Sequence, residues 1–351
     1  MVEGSAAVAV PSDGSSGAGW SVRLSGVTRS RAGARVLDGV DLDLPAGGIV
    51  AIVGESGCGA TTLAGIIAGR ERADHGEVLI DGRARPDAPR LGGVFDDGAP
   101  RFGRVRDAVL PRGRHPRGAD DDVRRLLALV GLTSPDAGIR RLSRGDRQRL
   151  AIARALAAEP RALVLDDALS ALHTVGRERL RDALVRELRR RGTTTVWVTR
   201  DTAEAIAVAD RVIVLDRGRI AADGTPEQVY ARAAEPAVAA VLGPVSSVPG
   251  IVEGSEVDVW GQHLPLAGSA HDGHCEVLVR PENVVLVAPD APGMDAVVEE
   301  SRFLGRVRRS LVRTLDGSLV HVDHAADARL DLHARVRIAL AAVPVTTRPL
   351  S

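Results

Sequence analysis

The sequence predicts an α/β protein built on a parallel sheet, followed by a smaller all-β domain. Three observations predict this. The apolar run Ile49–Val53 leads into Gly54-Glu55-Ser56-Gly57-Cys58-Gly59 and then an apolar-periodic stretch from Thr61, which is a strand, a glycine turn and a helix in succession. A second apolar run, Ala162–Leu165, closes on Asp166 and Asp167, so a buried strand presents two carboxylates at its C-terminal end. Beyond about residue 250 helix signals are scarce, and short strands alternate with turns such as Asp316-Gly317.

Composition bounds the function. A chain of 351 residues exceeds one ordinary core and implies two domains. Its 44% hydrophobic and 26% charged residues are globular, and a formal net charge of zero gives no global attraction to a nucleic acid. All 46 basic residues are arginine; the chain has no lysine. Cys58 and Cys275 make neither a disulfide framework nor a metal set. No apolar run approaches the ~18 residues of a membrane span. Residues 1–19, rich in Gly, Ala and Ser and lacking a basic leader, read as a disordered tail.

Along the chain, strands are expected at Trp20–Val27 and Val36–Leu44, with the turn Pro45–Gly48 feeding the strand at Ile49. His75-Gly76 breaks the chain, and strands follow at Glu77–Ile80 and Leu91–Phe95, then a polar loop from Asp96 to Arg104. Asp120–Val130 has an acidic start and apolar residues at helical spacing, so it is an amphipathic helix. Ser143 is placed to cap a helix from about Asp146 to Ala158. After the carboxylate strand come a helix at Thr174–Arg191, a strand at Thr193–Val198, a helix at Thr202–Ala209 and a strand at Val212–Leu215. Strands alternating with helices call for a parallel sheet with right-handed crossovers. The expected division is a domain over 20–235, a linker over 236–250 and a β domain over 251–351. The β domain's strands are expected at 276–279, 284–287, 297–304, 307–312, 319–322 and 336–340.

The glycine turn carries the chemistry. In the pattern G-x-x-x-x-G-K-[ST], glycines let backbone N–H groups converge on a phosphate at a helix N-terminus. Gly54, Gly59 and Thr61 fit it, but the lysine position holds Ala60.

The order of motifs resembles the ATP-binding subunit of ABC transporters, of the importer type with a C-terminal TOBE domain. The stretches that carry the resemblance are VLDGVDLDLPAGGIVAIVGESGCGATTLAGIIAG, GEVLIDGR, LSRGDRQRLAIARALAAEPRALVLDDALSALH, VWVTRDTAEAIAVADRVIVLDRGRIAADGTPEQVY and the later VRPENV. The resemblance implies a P-loop NTPase domain of the ABC ATPase kind with a helical subdomain, then an OB-like TOBE domain. It implies that Gly54, Glu55, Ser56, Gly57, Cys58, Gly59, Ala60, Thr61 and Thr62 wrap the triphosphate of ATP, with Arg31 at the adenine. Thr61, Asp96 and Asp166 would serve Mg²⁺, and Ser143, Arg144 and Gly145 would close on the nucleotide of a partner subunit.

The departures from the family pattern are many. Arg31 stands where an adenine-stacking aromatic is expected, Ala60 for the phosphate-loop lysine, and Asp96 for the glutamine that senses metal and permease. LSRGD replaces LSGGQ through Arg144 and Asp146; Asp167 replaces the glutamate that polarises water; His173 replaces the aspartate after it; Arg200 replaces the switch histidine. Losing one charged hydrogen bond weakens phosphate binding about 10–100-fold, and a carboxylate displaced by ~1 Å costs about 10²-fold in rate. Hydrolysis is therefore expected to be slow or absent, with Asp167 and Arg200 at the catalytic positions. Arg144 and Arg200 are also cations that could grip the γ-phosphate.

The resemblance further implies permease subunits in a membrane, a homodimer or a heterodimer with another ATPase subunit, a solute-binding protein acting indirectly, no nucleic acid, and a cytoplasmic place on the inner face of the cell membrane. A non-hydrolysing scaffold or regulatory subunit is the alternative. His321 and His324 in VHVDH read as a metal pair or as a solvated strand end, and Arg101, Arg104, Arg106, Arg112, Arg114 and Arg117 as a solvated basic face.

Overall fold

The protein is described by a computed structural model, over residues 19–84, 87–89, 91–95, 102–110, 119–231 and 236–349. It forms two compact units, one of residues through Val50 with Thr61–Val198, the other of Ala51–Ala60 with Thr199–Ser351. The expected tail lies outside the described residues except for Gly19. That residue, the last of the expected tail, is buried, and a Cβ on it would lie 2.5 Å from the Thr194 hydroxyl.

The first unit opens with β1 (Val22–Arg31) and β2 (Ala34–Leu44), and contains the start of β3 (Ile49–Val53) and most of α1 (Ala60–Ala68). β4 (His75–Ile80) and β5 (Arg83–Ala84) complete an antiparallel sheet of order β2-β1-β4-β5. β4 starts at His75 because Gly76 takes φ +87° and lets the chain kink without leaving the sheet; a Cβ there would meet the Gly26 carbonyl at 2.4 Å.

β6 (Gly92–Val94), the helices α2 (Val105–Val109), α3 (Ala119–Val130) and α4 (Arg144–Ala157), then β7 (Ala162–Asp166), α5 (Thr174–Arg191) and β8 (Thr194–Val198) follow. Strand order here is β3-β8-β7-β6, with β6, β7 and β8 parallel. Every residue of β3, β7 and β8 is buried, as parallel strands covered on both faces must be.

Arginines from α3 and α5 surround one buried carboxylate of α5. Glu187 is 7% exposed and accepts from Arg190, Arg125 and Arg191 at 2.7 to 3.0 Å. Arg190 leads in pulling its pKa from the ordinary 4.5 down to about 2, against the opposing effect of burial. A depressed carboxylate stabilises the fold above its unfolded value, and that stability is lost as pH falls from about 4.5 through about 2. After allowing for screening at the exposed Arg190 and Arg125, Glu187→Gln is expected to cost about 2 kcal/mol at neutral pH and to flatten the acid limb of the stability curve, read by denaturant melts between pH 7 and 2.

The second unit holds the end of β3, α6 (Thr202–Val208), and the hairpin β9 (Arg211–Asp216) and β10 (Arg219–Gly224), in strand order β10-β9-β3. Helices α7 (Pro226–Ala231) and α8 (Pro236–Leu242) come next. The stretch 236–250, expected as a linker, contains α8 and the start of β11 (Ser246–Glu253).

β11 joins β12 (Glu256–Val259), β13 (Gln262–Pro265) and β14 (Gly273–Val279). Then come β15 (Val284–Val287), β16 (Met294–Phe303), β17 (Val307–Thr314), β18 (Leu319–Ala325), β19 (Arg335–Leu340) and β20 (Thr346–Pro349). They form two five-stranded sheets, ordered β13-β12-β11-β14-β20 and β15-β19-β16-β17-β18, around one core that includes Val257 and Val277 from the first and Val298, Val312 and Ile338 from the second.

Within this unit Arg280 ties the β strands to α7 and α8. It is 4% exposed, donates to the carbonyls of Tyr230 (3.0 Å), Leu242 (3.3 Å) and Gly243 (3.4 Å), and stacks 3.8 Å over the Tyr230 ring. The Tyr230 hydroxyl donates to Glu282, and burial together with that bond pushes its pKa up to about 12.

Candidate functional site

The glycine loop has the shape its sequence predicts. Gly57 and Gly59 take φ of +91° and +103°, which a residue with a side chain adopts only under strain. At Gly54 the reason is contact: a Cβ would lie 2.3 Å from the Leu215 carbonyl and 2.6 Å from the Cys58 sulfur. The Cys58 N–H donates to the Glu55 carbonyl (3.0 Å), and the Cys58 carbonyl accepts from the Gly218 N–H (2.9 Å). Cys58 is 8% exposed, and burial pushes its thiol up, so it is a protonated filler. Helix α1 begins at Ala60, one residue before the expected Thr61, with no basic residue in its first or last turn. The loop therefore keeps its cradle and helix N-terminus but has no cation of its own.

In the first unit the Thr61 hydroxyl donates to Asp166 Oδ1 at 3.3 Å. Thr61 is exposed and Asp166 only 8% exposed, so the pair has an open side. Two hard oxygens at that separation suit Mg²⁺, which takes oxygen ligands at about 2.1 Å in octahedral array. Asp96, the third expected metal residue, lies outside the described residues, as do Arg101, Arg112, Arg114 and Arg117.

Asp167 adopts φ +48°, rare for a residue with a Cβ. Its N–H donates to the Val198 carbonyl at 2.9 Å, and its own carbonyl accepts from the Ser170 hydroxyl at 2.8 Å. A residue not singled out in the sequence holds this turn. Gln148 of α4, 7% exposed, donates through Nε2 to the Asp167 carbonyl (3.2 Å) and to Ser170 Oγ (3.1 Å), and its Oε1 accepts from the Ala171 N–H (2.9 Å). In sequence Gln148 is one of several polar residues that open α4, and nothing there marks it as the one that turns inward.

Ser143 caps α4 as expected, accepting from the Asp146 N–H at 3.1 Å. The helix starts at Arg144, two residues earlier than expected. The Ser143 hydroxyl also donates to the Asp146 carboxylate at 2.8 Å, so the hydroxyl expected to meet a phosphate already serves an anion. Arg144 is exposed at the first helical position, with Gly145 packed against the Ala171 carbonyl. His173 precedes α5 without capping it through its side chain. Arg31 pairs with Glu71 at the end of β1, so the guanidinium at the expected base position is anchored.

The structure removes the metal-pair alternative for His321 and His324. Three positions apart on β18, they fall on opposite faces of the strand. His324 Nε2 lies 2.8 Å from Ser310 Oγ, and among the described residues no group of three or more potential ligands gathers. Arg106 of the basic stretch pairs with Asp136 at 3.0 Å. No described helix is long and apolar enough to cross a membrane.

Two family models match the chain: ABC transporter over residues 37–170 and TOBE domain over 277–344. The sulfate/thiosulfate import ATP-binding protein CysA of Xanthomonas campestris is 39% identical over 324 residues, spanning 88% of this chain and 93% of that protein. The Fe(3+) ions import ATP-binding protein FbpC of Streptomyces coelicolor is 39% identical over 295 residues, 80% of this chain and 84% of that protein. Among solved structures, the dimeric ATP-binding cassette MJ0796 bound to ADP and Pi, in a post-hydrolysis state, superposes with a TM-score of 0.54 at 27% identity, over 58% of this chain and 98% of that one.

Proposed function

The chain belongs to the ATP-binding subunits of ABC importers that carry a TOBE domain, and from that premise we propose that it binds ATP and Mg²⁺ more weakly than an unaltered member and turns ATP over slowly or not at all. Such subunits use ATP and Mg²⁺, work with membrane permeases and substrate-binding proteins, usually as dimers, and associate peripherally with the membrane. Here Gly54–Thr62 holds the triphosphate, Thr61 and Asp166 take the metal, and Ser143, Arg144 and Gly145 are offered to the nucleotide of a second subunit, identical or not. The solute belongs with the small inorganic ions named for the relatives, sulfate, thiosulfate and Fe(3+).

The observation that carries this reading is Ala60 at the first position of α1, in a loop whose geometry is otherwise complete. A helix N-terminus supplies only about half a positive charge toward a triphosphate, and the missing cation is worth a charged hydrogen bond. Asp167, one methylene shorter than glutamate and fixed in a left-handed turn, reaches less far toward an attacking water.

The test is ATP binding and steady-state hydrolysis by the purified chain beside Ala60→Lys. Ala60→Lys is expected to tighten ATP binding about tenfold or more while turnover stays near background. Turnover well above background in the unmodified chain would sink the proposal of impaired hydrolysis. One contact favours the alternative of a non-hydrolysing scaffold or regulatory subunit: Asp146 occupies the Ser143 hydroxyl and places a negative charge where a partner's γ-phosphate would approach.

A further inference from the structure

Beside the glycine loop, wholly within the second unit, lies a cleft of about 210 Å³. Its rim is Glu55 of the loop with Asp216 and Arg217 of the β9–β10 turn. Its walls are Leu215, the last apolar residue of β9, and one face of α8. The sequence of α8 makes the hollow. Val238 and Leu242, four apart, are buried at 0% and 8% exposure. The adjoining face carries Ala237, Ala240 and Val241, and the two alanine methyls are too small to fill the space beside Leu215. Helix α8 is held in place by the Thr202 hydroxyl, which donates to the Val241 carbonyl at 2.9 Å, and by Arg280.

The rim has an excess of negative charge. Glu55 is exposed and Asp216 half-buried. Arg217 lies 4.0 Å from Asp216 with a side chain 93% exposed, so that pairing is loose and screened. Arg200, exposed in the turn after β8, does not line the cleft. The rim is also tied to the loop. The Gly218 N–H donates to the Cys58 carbonyl at 2.9 Å, and the Cys58 N–H donates to the Glu55 carbonyl at 3.0 Å. A ligand seated between Glu55 and Asp216 therefore joins two segments that already share Cys58.

We propose that the cleft is an effector site for a small alkylammonium ion. Its charge sits between the Glu55 and Asp216 carboxylates, and its chain lies on Leu215 and the alanines of α8. The two carboxylates select a cation. The apolar wall selects an organic one, and among the described residues no three potential ligands gather to hold a metal. A volume below the ~300–1,000 Å³ of drug-sized pockets selects a small one. The effector role rests on the reading that the loop binds nucleotide. The loop has no cation of its own, so an ammonium bound beside it raises its affinity for phosphate. By linkage, nucleotide tightens the hold on the amine by the same factor.

The test is calorimetric titration of the full chain with n-butylammonium chloride, with n-butanol and sodium butyrate as controls of similar size. Saturable binding of the cation, about tenfold tighter than either control, is expected from two exposed carboxylates. Ala240→Leu fills the cleft with a side chain that a helix accepts, and it should abolish binding. Glu55→Gln and Asp216→Asn should each weaken it about two- to fivefold. Arg217→Ala, which frees Asp216, should tighten it. Thermal melts verify folding. A fluorescent ATP analogue should then bind about two- to fivefold tighter in saturating butylammonium chloride than in equal sodium chloride, in the unmodified chain and not in Ala240→Leu. No preference for the cation over the controls, or binding that survives in folded Ala240→Leu, overturns the site. Cation binding that leaves ATP affinity unchanged overturns the effector role. If neither the unmodified chain nor Ala60→Lys binds nucleotide, the nucleotide reading fails and the effector role falls with it, while the butylammonium titration still decides the site.

Discussion

Arg280→Ala is expected to destabilise the second unit by about 3 kcal/mol, because it removes a charged donor from three carbonyls and a stacked ring at once. The size follows from opposing terms. One short and two long charge-assisted bonds and the ring contact favour the native state, while the desolvation of a cation only 4% exposed acts against it. Truncation leaves carbonyls at the ends of α7 and α8 without the buried donor, so the loss exceeds that of an exposed ion pair. Arg280→Lys keeps the charge but cannot reach three acceptors with one ammonium, and it falls between. Calorimetry checks this. The variant should lower the melting temperature and separate the unfolding of the β strands from that of α7 and α8. An unchanged single transition would show that the contacts are incidental.

The second large effect is expected at Gln148. Gln148→Ala removes the amide from all three of its partners and leaves the half-buried Ala171 N–H without that acceptor, a loss of about 2–3 kcal/mol. Asp167 sits at φ +48° within the turn that this amide clamps, so the backbone of residues 167–171 should relax when the clamp is gone. Hydrogen exchange reads this directly: amides 167–171 should exchange faster, while those of β7 keep their protection. Gln148→Glu retains the acceptor for Ala171 but repels the Asp167 carbonyl, and it should do intermediate damage. Unaltered exchange across 167–171 in Gln148→Ala would show that the turn holds itself.

Much of this was legible in the sequence, for identifiable reasons. The strands β3, β7 and β8 are continuous apolar runs, and only a strand covered on both faces looks so. The loop glycines were legible because each is required, by positive φ or by contact. The meander β11–β13 was not read, because Pro249-Gly250 looks like a turn. In the structure Pro249 pairs with Glu276, and a Cβ on Gly250 would lie 2.6 Å from Val277, so that glycine marks close packing inside a strand. Helix α7 was readable and missed: Thr225-Pro226-Glu227-Gln228 is a capping box, with Gln228 accepting from the Thr225 N–H at 3.0 Å and returning its own N–H to the Thr225 hydroxyl at 3.3 Å. Gln148 lay beyond reach for another reason. Its partners are two backbone groups and a hydroxyl of a turn 19 to 23 residues away, and a sequence does not announce which side chain satisfies them.

The Arg280 clasp closes on the only tyrosine in the chain. That makes its state visible without a label. Ionisation changes a phenol's near-ultraviolet absorbance while the indoles of the three tryptophans do not titrate, and a phenol raised to about 12 stays un-ionised in alkali that would deprotonate an ordinary one. A spectrophotometric titration of the intact chain therefore reports on one place, the junction of α7 and the β strands, through a single chromophore that the fold itself has put there.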